Sequence, residues 1–151
     1  MVEIPSPEKV ASLVSNVTET MFGISFEPVL PYEPSPQLIW RTVLLPIPGK
    51  HAITVGLSSD KAGCVLLGSA MFQVPLEAVD ASMMDDSLCE LANMTAGLLK
   101  STLSLDQALG LPKVIPDGDP RGAAARADEA HATVLRAKEV GLVLWILQGV
   151  D

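Results

Sequence analysis

Asp86, Glu90 and Asn93 set two carboxylates and a carboxamide at spacings of four and three in the stretch Asp86-Ser-Leu-Cys-Glu90-Leu-Ala-Asn93-Met-Thr-Ala-Gly97. On a helix, at about 100° per residue, the three fall within an arc of about 60°, and Gly97 lies in the same arc. Leu88, Leu91, Ala92, Thr95, Leu98, Leu99, Thr102 and Leu103 occupy the opposite side and form a core stripe. The polar trio is therefore expected to project outward, over a spot where glycine removes side-chain bulk and a partner's backbone can approach. A carboxylate and an amide one turn apart, without a shielding neighbour, suit work on a substrate that comes to the helix.

The same residues have plainer readings. Surface helices carry Glu and Asn simply because such faces are solvated. Asp86, read as a first-turn residue, favours the helix dipole without any chemistry. Met94 flanks the trio as a contact residue or as a boundary core residue. Other catalytic designs find little support. His51 and His131 are far apart and fall in expected strands, and Cys64 and Cys89 lack the paired spacing of a metal site. There is no glycine-rich phosphate loop, no Gly-x-Ser-x-Gly elbow and no cysteine–histidine pair. Trp40 and Trp145 lie in expected strands and read as core or dimer-interface residues.

The elements that must position the trio are legible from caps and periodicity. Ser6 caps a first helix with Pro7 at its first position and Glu8 in its first turn; Val10, Leu13, Val14, Val17 and Met21 follow at helical spacing, and Gly23 stops it. Prolines between Pro28 and Pro36 give a stiff connection. Leu38–Leu45 and His51–Leu57 read as strands of a hairpin turning at Pro46, Pro48 and Gly49. Ser59 or Asp60 caps a compact helix running to about Gln73, which Pro75 ends. Ser82 and Asp85 resemble a capping box at the start of the motif helix, which extends to about Ser104. Leu111–Ile115 is extended, residues 116–122 form a loop, and Ala123–Ala130 is a loop or a helical turn. Ala132–Lys138 and Leu142–Gln148 read as a terminal hairpin turning at Val140-Gly141. The order predicts an α+β fold, an antiparallel sheet with helices packed on one face.

At 151 residues, 48% hydrophobic and 19% charged, the chain reads as a single domain, 1–151, with one core. Its formal net charge of −8 argues against nucleic acid and against anionic membrane surfaces. No apolar run approaches the roughly 18 residues of a membrane span, and no secretory signal is read at the start. Two cysteines without framework spacing fit a cytoplasmic setting. A terminal hairpin implies an edge strand, and Leu142–Leu147, apolar on both faces and free of proline and charge, suits an edge covered by a second copy.

The run Glu90-Leu-Ala-Asn93-Met-Thr-Ala-Gly97, preceded by Asp86, resembles the signature of the CheC/CheX/FliY phosphatases of bacterial chemotaxis. The order of elements on either side is similar to that of a CheX-like domain. One motif copy rather than two places the resemblance on the CheX branch, which implies a CheC-like fold with a single motif helix and a homodimer whose sheets join. It further implies hydrolysis of the phospho-aspartate of a CheY-like response regulator, in chemotaxis or a related two-component pathway. Glu90 and Asn93 would be the catalytic pair, and Asp86, Met94 and Gly97 the partner-binding residues. No cofactor belongs to the chain itself; Mg²⁺ would come with the response regulator. Two rivals stand beside this expectation. One is a non-catalytic CheX-like module that binds a regulator or switch component. The other is a ligand-sensing or scaffolding α+β domain, which a deep apolar pocket away from Glu90 would favour.

Overall fold

The computed structural model of the chain describes residues 3–29, 36–115 and 120–149. The first helix, α1 (Pro7–Phe22), forms as its caps dictate: the Ser6 hydroxyl accepts from the Lys9 amide at 3.2 Å, and Gly23 closes the helix in the left-handed region at φ 69°. Its apolar stripe, Val10, Leu13, Val14 and Val17, is buried. A two-residue strand, β1 (Glu27–Pro28), follows. Residues 30–35, the middle of the proline-rich connection, lie outside the described residues.

The expected strand over Leu38–Leu45 is shifted. Pro36–Ile39 makes a 3-10 turn that buries Leu38 and Ile39, and the strand β2 runs Arg41–Ile47. Pro46 belongs to the strand rather than to the turn. Its carbonyl accepts from the Gly110 amide at 2.7 Å, so its nitrogen, which has no hydrogen to donate, also faces away from the neighbouring strand. That neighbour is β3 (Ile53–Ser59), which leaves His51 in the turn and not in a strand. Helix α2 (Lys61–Phe72) is capped by Asp60 and ends on Gln73 at φ 55°, ahead of Pro75. Helix α3 (Ala81–Thr102) carries the motif. Strand β4 (Lys113–Ile115) is followed by α4 (Arg121–Arg126), the helical alternative for the alanine-rich segment. Residues 116–119 of that loop lie outside the described residues.

The last two strands are β5 (Glu129–Ala137) and β6 (Val140–Gln148). Their turn is Lys138-Glu139, with Lys138 at φ 53°, and not Val140-Gly141. Gly141 sits inside β6 opposite Arg136, because a Cβ there would collide with the Leu38 side chain of the 3-10 turn. Glycine here serves close packing, not a bend.

Among the described residues six strands form one antiparallel sheet in the order β1-β5-β6-β3-β2-β4. The fold is α+β, as expected. The edge-strand reading of the terminal hairpin is not: β6 lies in the interior, paired with β5 from Ala137↔Val140 to Glu129↔Gln148 and with β3 from Ser59↔Leu142 to Ile53↔Gln148. Its two-faced hydrophobicity has a different cause. Val55, Leu57, Leu142, Leu144 and Ile146 face α1, α2 and α3 in the main core, whereas Val143, Trp145 and Leu147 meet Leu38, Ile39 and Ala123 on the other face. The long helices all pack on one face, and the 3-10 turn and α4 line the second. There the Trp145 Nε1 donates to Ser58 Oγ at 2.9 Å, so the buried indole keeps its hydrogen bond.

Among the described residues no helix is long and apolar enough to cross a membrane.

Candidate functional site

Helix α3 begins on Asp80, whose carboxylate accepts from the Met83 amide at 2.9 Å. The capping box expected from Ser82 and Asp85 does not form. Asp85 instead pairs with Arg41 at the start of β2, and the same guanidinium donates to the Ala81 carbonyl at 3.4 Å. The helix is thus fastened to the sheet at its N-terminal end through a charged clasp. Farther along, Met84, Ser87, Leu88, Leu91, Ala92, Thr95, Ala96 and Leu99 are buried. Thr102, expected in the core stripe, is exposed, while Met84, Ser87 and Ala96 join it. Ser87 satisfies its hydroxyl by donating to the Met83 carbonyl at 2.7 Å.

This anchoring turns the motif outward. Asp86, Glu90 and Asn93 are exposed, and Met94 is 37% exposed, a boundary residue with a face toward solvent. Glu90 and Asn93, three residues apart, have Cβ atoms about 5–6 Å from each other. Among the described residues neither side chain has a hydrogen-bond or ion-pair partner. A Cβ built on Gly97 meets nothing within 4 Å, so the gap in front of the pair is open space and not an internal packing need. Asp86 falls in the second turn, because the helix starts at Ala81. The first turn carries no acidic residue, and the dipole explanation of Asp86 does not apply.

The other chemical candidates stay apart from this face. His51 lies in the β2–β3 turn, where its backbone is held by Gln107: the His51 amide donates to Gln107 Oε1 at 3.0 Å, and Gln107 Nε2 donates to the His51 and Ile47 carbonyls at 3.1 and 3.2 Å. His131 on β5 pairs with Glu129. No group of three His, Cys, Asp or Glu among the described residues is placed to hold a metal ion. A groove of about 400 Å³ lies between the start of α1 and the end of α3, lined by Glu3, Ile4, Pro5, Ser6, Lys9, Thr102 and Leu103. Thr102 is some 18 Å along the helix axis from Glu90. The lining mixes charged with apolar side chains and is not the deep apolar pocket that a ligand sensor would need. Trp145 is buried as expected, but Trp40, expected in a strand and in a core or dimer interface, sits between the 3-10 turn and β2 and is 40% exposed.

Both cysteines are free thiols. Cys89, beside Glu90, has its pKa raised by burial first and by the Asp85 and Asp86 charges second. Burial pushes Cys64 up to about 12. Burial works against the thiolate form in both, the opposite of what an activated cysteine nucleophile needs. The Cys64 shift has a consequence for stability. An unfolded thiol ionises near pH 9 while the folded one does not, so the folded state loses stability as pH rises from about 9 toward 12. Cys64→Ala is expected to remove that part of the alkaline loss. Urea midpoints of both proteins from pH 8 to 11 check it, and parallel curves would contradict it.

Comparison with solved structures identifies the fold. CheX of Borrelia burgdorferi, solved in a complex with CheY, BeF3 and Mg²⁺, superposes with a TM-score of 0.74 at 16% identity, over 97% of this chain and 99% of that one. A protein from Desulfovibrio vulgaris Hildenborough gives 0.74 at 17% identity, over 98% and 99%. A CheC-like superfamily protein from a Shewanella species gives 0.72 at 16%, over 96% and 99%. The architecture is therefore the CheC-like one. The family model for the chemotaxis phosphatase CheX matches residues 41–134, which span β2 to β5 and include the whole of α3, and the chain belongs to that family. No curated protein matches the sequence.

Proposed function

We propose that the chain is a phosphatase that hydrolyses the phospho-aspartate of a CheY-like response regulator, in chemotaxis or a related two-component pathway. One observation carries this reading. In a chain of the CheX family, Glu90 and Asn93 stand on the solvent side of a firmly anchored helix, unpartnered among the described residues, with open space at Gly97. Leaving a carboxylate and a carboxamide without partners is pointless for stability and useful for a partner that supplies them.

The chemistry asks little of the chain. An acyl phosphate is already prone to hydrolysis. Water attacks phosphorus, the bond to the aspartyl oxygen breaks, and inorganic phosphate and a free carboxylate result, with the water's proton leaving on the phosphate. Asn93 enters the regulator's active site and orients the attacking water in line with the breaking bond. A carboxamide suits this because it donates and accepts without ionising. The gain is positional, since the water loses its orientational freedom before the step. Glu90 pairs with the regulator's active-site lysine and fixes the register of docking. Asp86 and Met94 extend the contact on either side, and Gly97 lets the partner's backbone come close. Mg²⁺, held by the regulator, offsets charge on the phosphoryl oxygens. The Borrelia burgdorferi complex, in which BeF3 stands in for the phosphoryl group, supports the same partner and the same source of metal for this chain. The setting that fits is cytoplasmic, with the chain acting as one domain.

The direct test is regulator dephosphorylation. A phosphorylated CheY-like receiver domain mixed with catalytic amounts of the chain should lose its phosphoryl group faster than alone. Stable binding without acceleration would point instead to the non-catalytic module.

The assembly that fits is a homodimer. A chain with one motif copy recovers a two-site architecture by pairing. The available edge differs from the one expected. Among the described residues β1 pairs only with Leu135 and Arg136 of β5, and the Val29 amide donates to the Val134 carbonyl, so Glu129–Thr133 has a partner strand on one side only. Light scattering at micromolar concentration is expected to give about twice the chain mass of 15.9 kDa. A monomer there would refute the dimer.

A further inference from the structure

We propose that Trp40 is a second docking contact for the partner received by the Glu90–Asn93 face, an aromatic anchor locked beside α3 by Arg41 and Asp85; this rests on the reading of that face given above.

Trp40 departs from its surroundings. Leu38 and Ile39, just before it, are buried in the second core, yet the indole is 40% exposed. It is nevertheless held. The Arg41 guanidinium stacks over its ring at 4.8 Å from the centroid, and that guanidinium is itself fixed by the Asp85 carboxylate and the Ala81 carbonyl at the start of α3. Ring, cation and carboxylate form a chain that ends on the helix bearing the reactive pair. A solvated surface tryptophan has no need of such a clasp. A binding surface gains from it, because a side chain already fixed has less conformational freedom to lose on association.

Position supports the same assignment. Along the axis of α3, Glu90 lies about 7.5 Å from Asp85 and Asn93 about 12 Å. A standard protein interface covers about 800 Å² per partner, a patch of roughly 16 Å radius. Around the helix Asp85 points about 80° from Asn93 and about 140° from Glu90, so the indole flanks the Asn93 side of the arc, within reach of a domain docked on Asn93 that overhangs the start of α3. Charge fixes the kind of partner. Asp85 neutralises Arg41, so what this side of α3 offers is the exposed carboxylates of Asp86 and Glu90, unpaired among the described residues, with an apolar ring at their flank. The matching surface is that of a receiver domain carrying a basic side chain at its phosphorylation pocket and an apolar residue at the rim. Tryptophan is among the side chains that contribute most per residue to such contacts.

The chain has two tryptophans, and Trp145 is only 5% exposed, which makes it an internal control. Fluorine NMR of the fluorotryptophan-labelled chain, titrated with an unlabelled CheY-like receiver domain saturated with beryllofluoride and Mg²⁺, should move the Trp40 resonance and leave that of Trp145 in place. Trp40→Ala should weaken binding at least tenfold while circular dichroism shows the fold retained. Binding that leaves the Trp40 resonance unmoved, or that Trp40→Ala does not weaken, overturns the anchor and leaves the functional reading intact. A Trp40 resonance that shifts with the concentration of the chain alone and not with the receiver domain assigns the ring to contact between copies, and also overturns it. Failure of every activated receiver domain to bind overturns both.

Discussion

Asn93→Ala is expected to abolish the acceleration of regulator dephosphorylation, with a loss of roughly 10²-fold or more, the scale for removing one group that positions a reactant or stabilises a transition state. The fold should survive untouched. Asn93 is exposed, makes no side-chain hydrogen bond among the described residues, and lies away from the buried stripe of Leu88, Leu91, Ala92 and Thr95. Alanine is also the better helix former, so the thermal midpoint should stay level or rise slightly. This separation is diagnostic. Activity that falls with an intact circular dichroism spectrum and intact regulator binding places the loss at the chemical step. A variant that retains full activity on a verified phosphorylated regulator would sink the water-orienting role.

Glu90→Lys is expected to do comparable damage by another route. The substitution again leaves the fold alone, because Glu90 is exposed and unpaired among the described residues. In the docked complex, however, it sets an ammonium against the regulator's lysine. Like charges meeting inside an interface oppose association strongly, and a loss of about 10²-fold in kcat/KM is a fair expectation. Glu90→Gln, which keeps size and loses charge, should lose less. Raising the salt concentration should partly rescue the lysine variant while weakening the wild type, since screening acts with opposite sign on repulsion and attraction. Equal activity of Glu90→Lys and wild type would rule out the ion pair.

Where local chemistry decides, the sequence was readable. Ser6, Pro7 and Gly23 set the bounds of α1 because caps act within one turn, and of the two candidates Ser59 and Asp60 it is Asp60 that starts α2. The outward arc of Asp86, Glu90, Asn93 and Gly97 followed from helical period alone, since one long apolar stripe leaves a helix a single way to face its core. Misreadings arose where a distant element overrode the local signal. Asp85 looked like the end of a capping box, but a guanidinium from β2 claims it, so Asp80 begins the helix. Gly141 looked like a turn residue, but Leu38, more than a hundred positions earlier, needs the room. Leu142–Leu147 looked like an edge awaiting a second copy, but β3 and β5 pair with it on both sides, and the 3-10 turn, too short to be recognised, covers its second face together with α4. Trp40 was misplaced for the same reason: the strand signal was real, and its start was displaced by a turn that only tertiary packing stabilises.

The interior position of β6 bears on how this fold is reached and how it fails. It is the last of the strands in sequence order and yet it joins β5 to β3, so the sheet has no continuous centre until that strand arrives. Before then the β2–β3 hairpin presents Val55 and Leu57 beside an unpaired backbone, a template for wrong pairing. Closing the centre requires contacts between segments far apart along the chain, which favours slow folding over fast. A stop before residue 140 would therefore not trim an edge. It would split the sheet through its middle and leave the motif helix resting on half a floor.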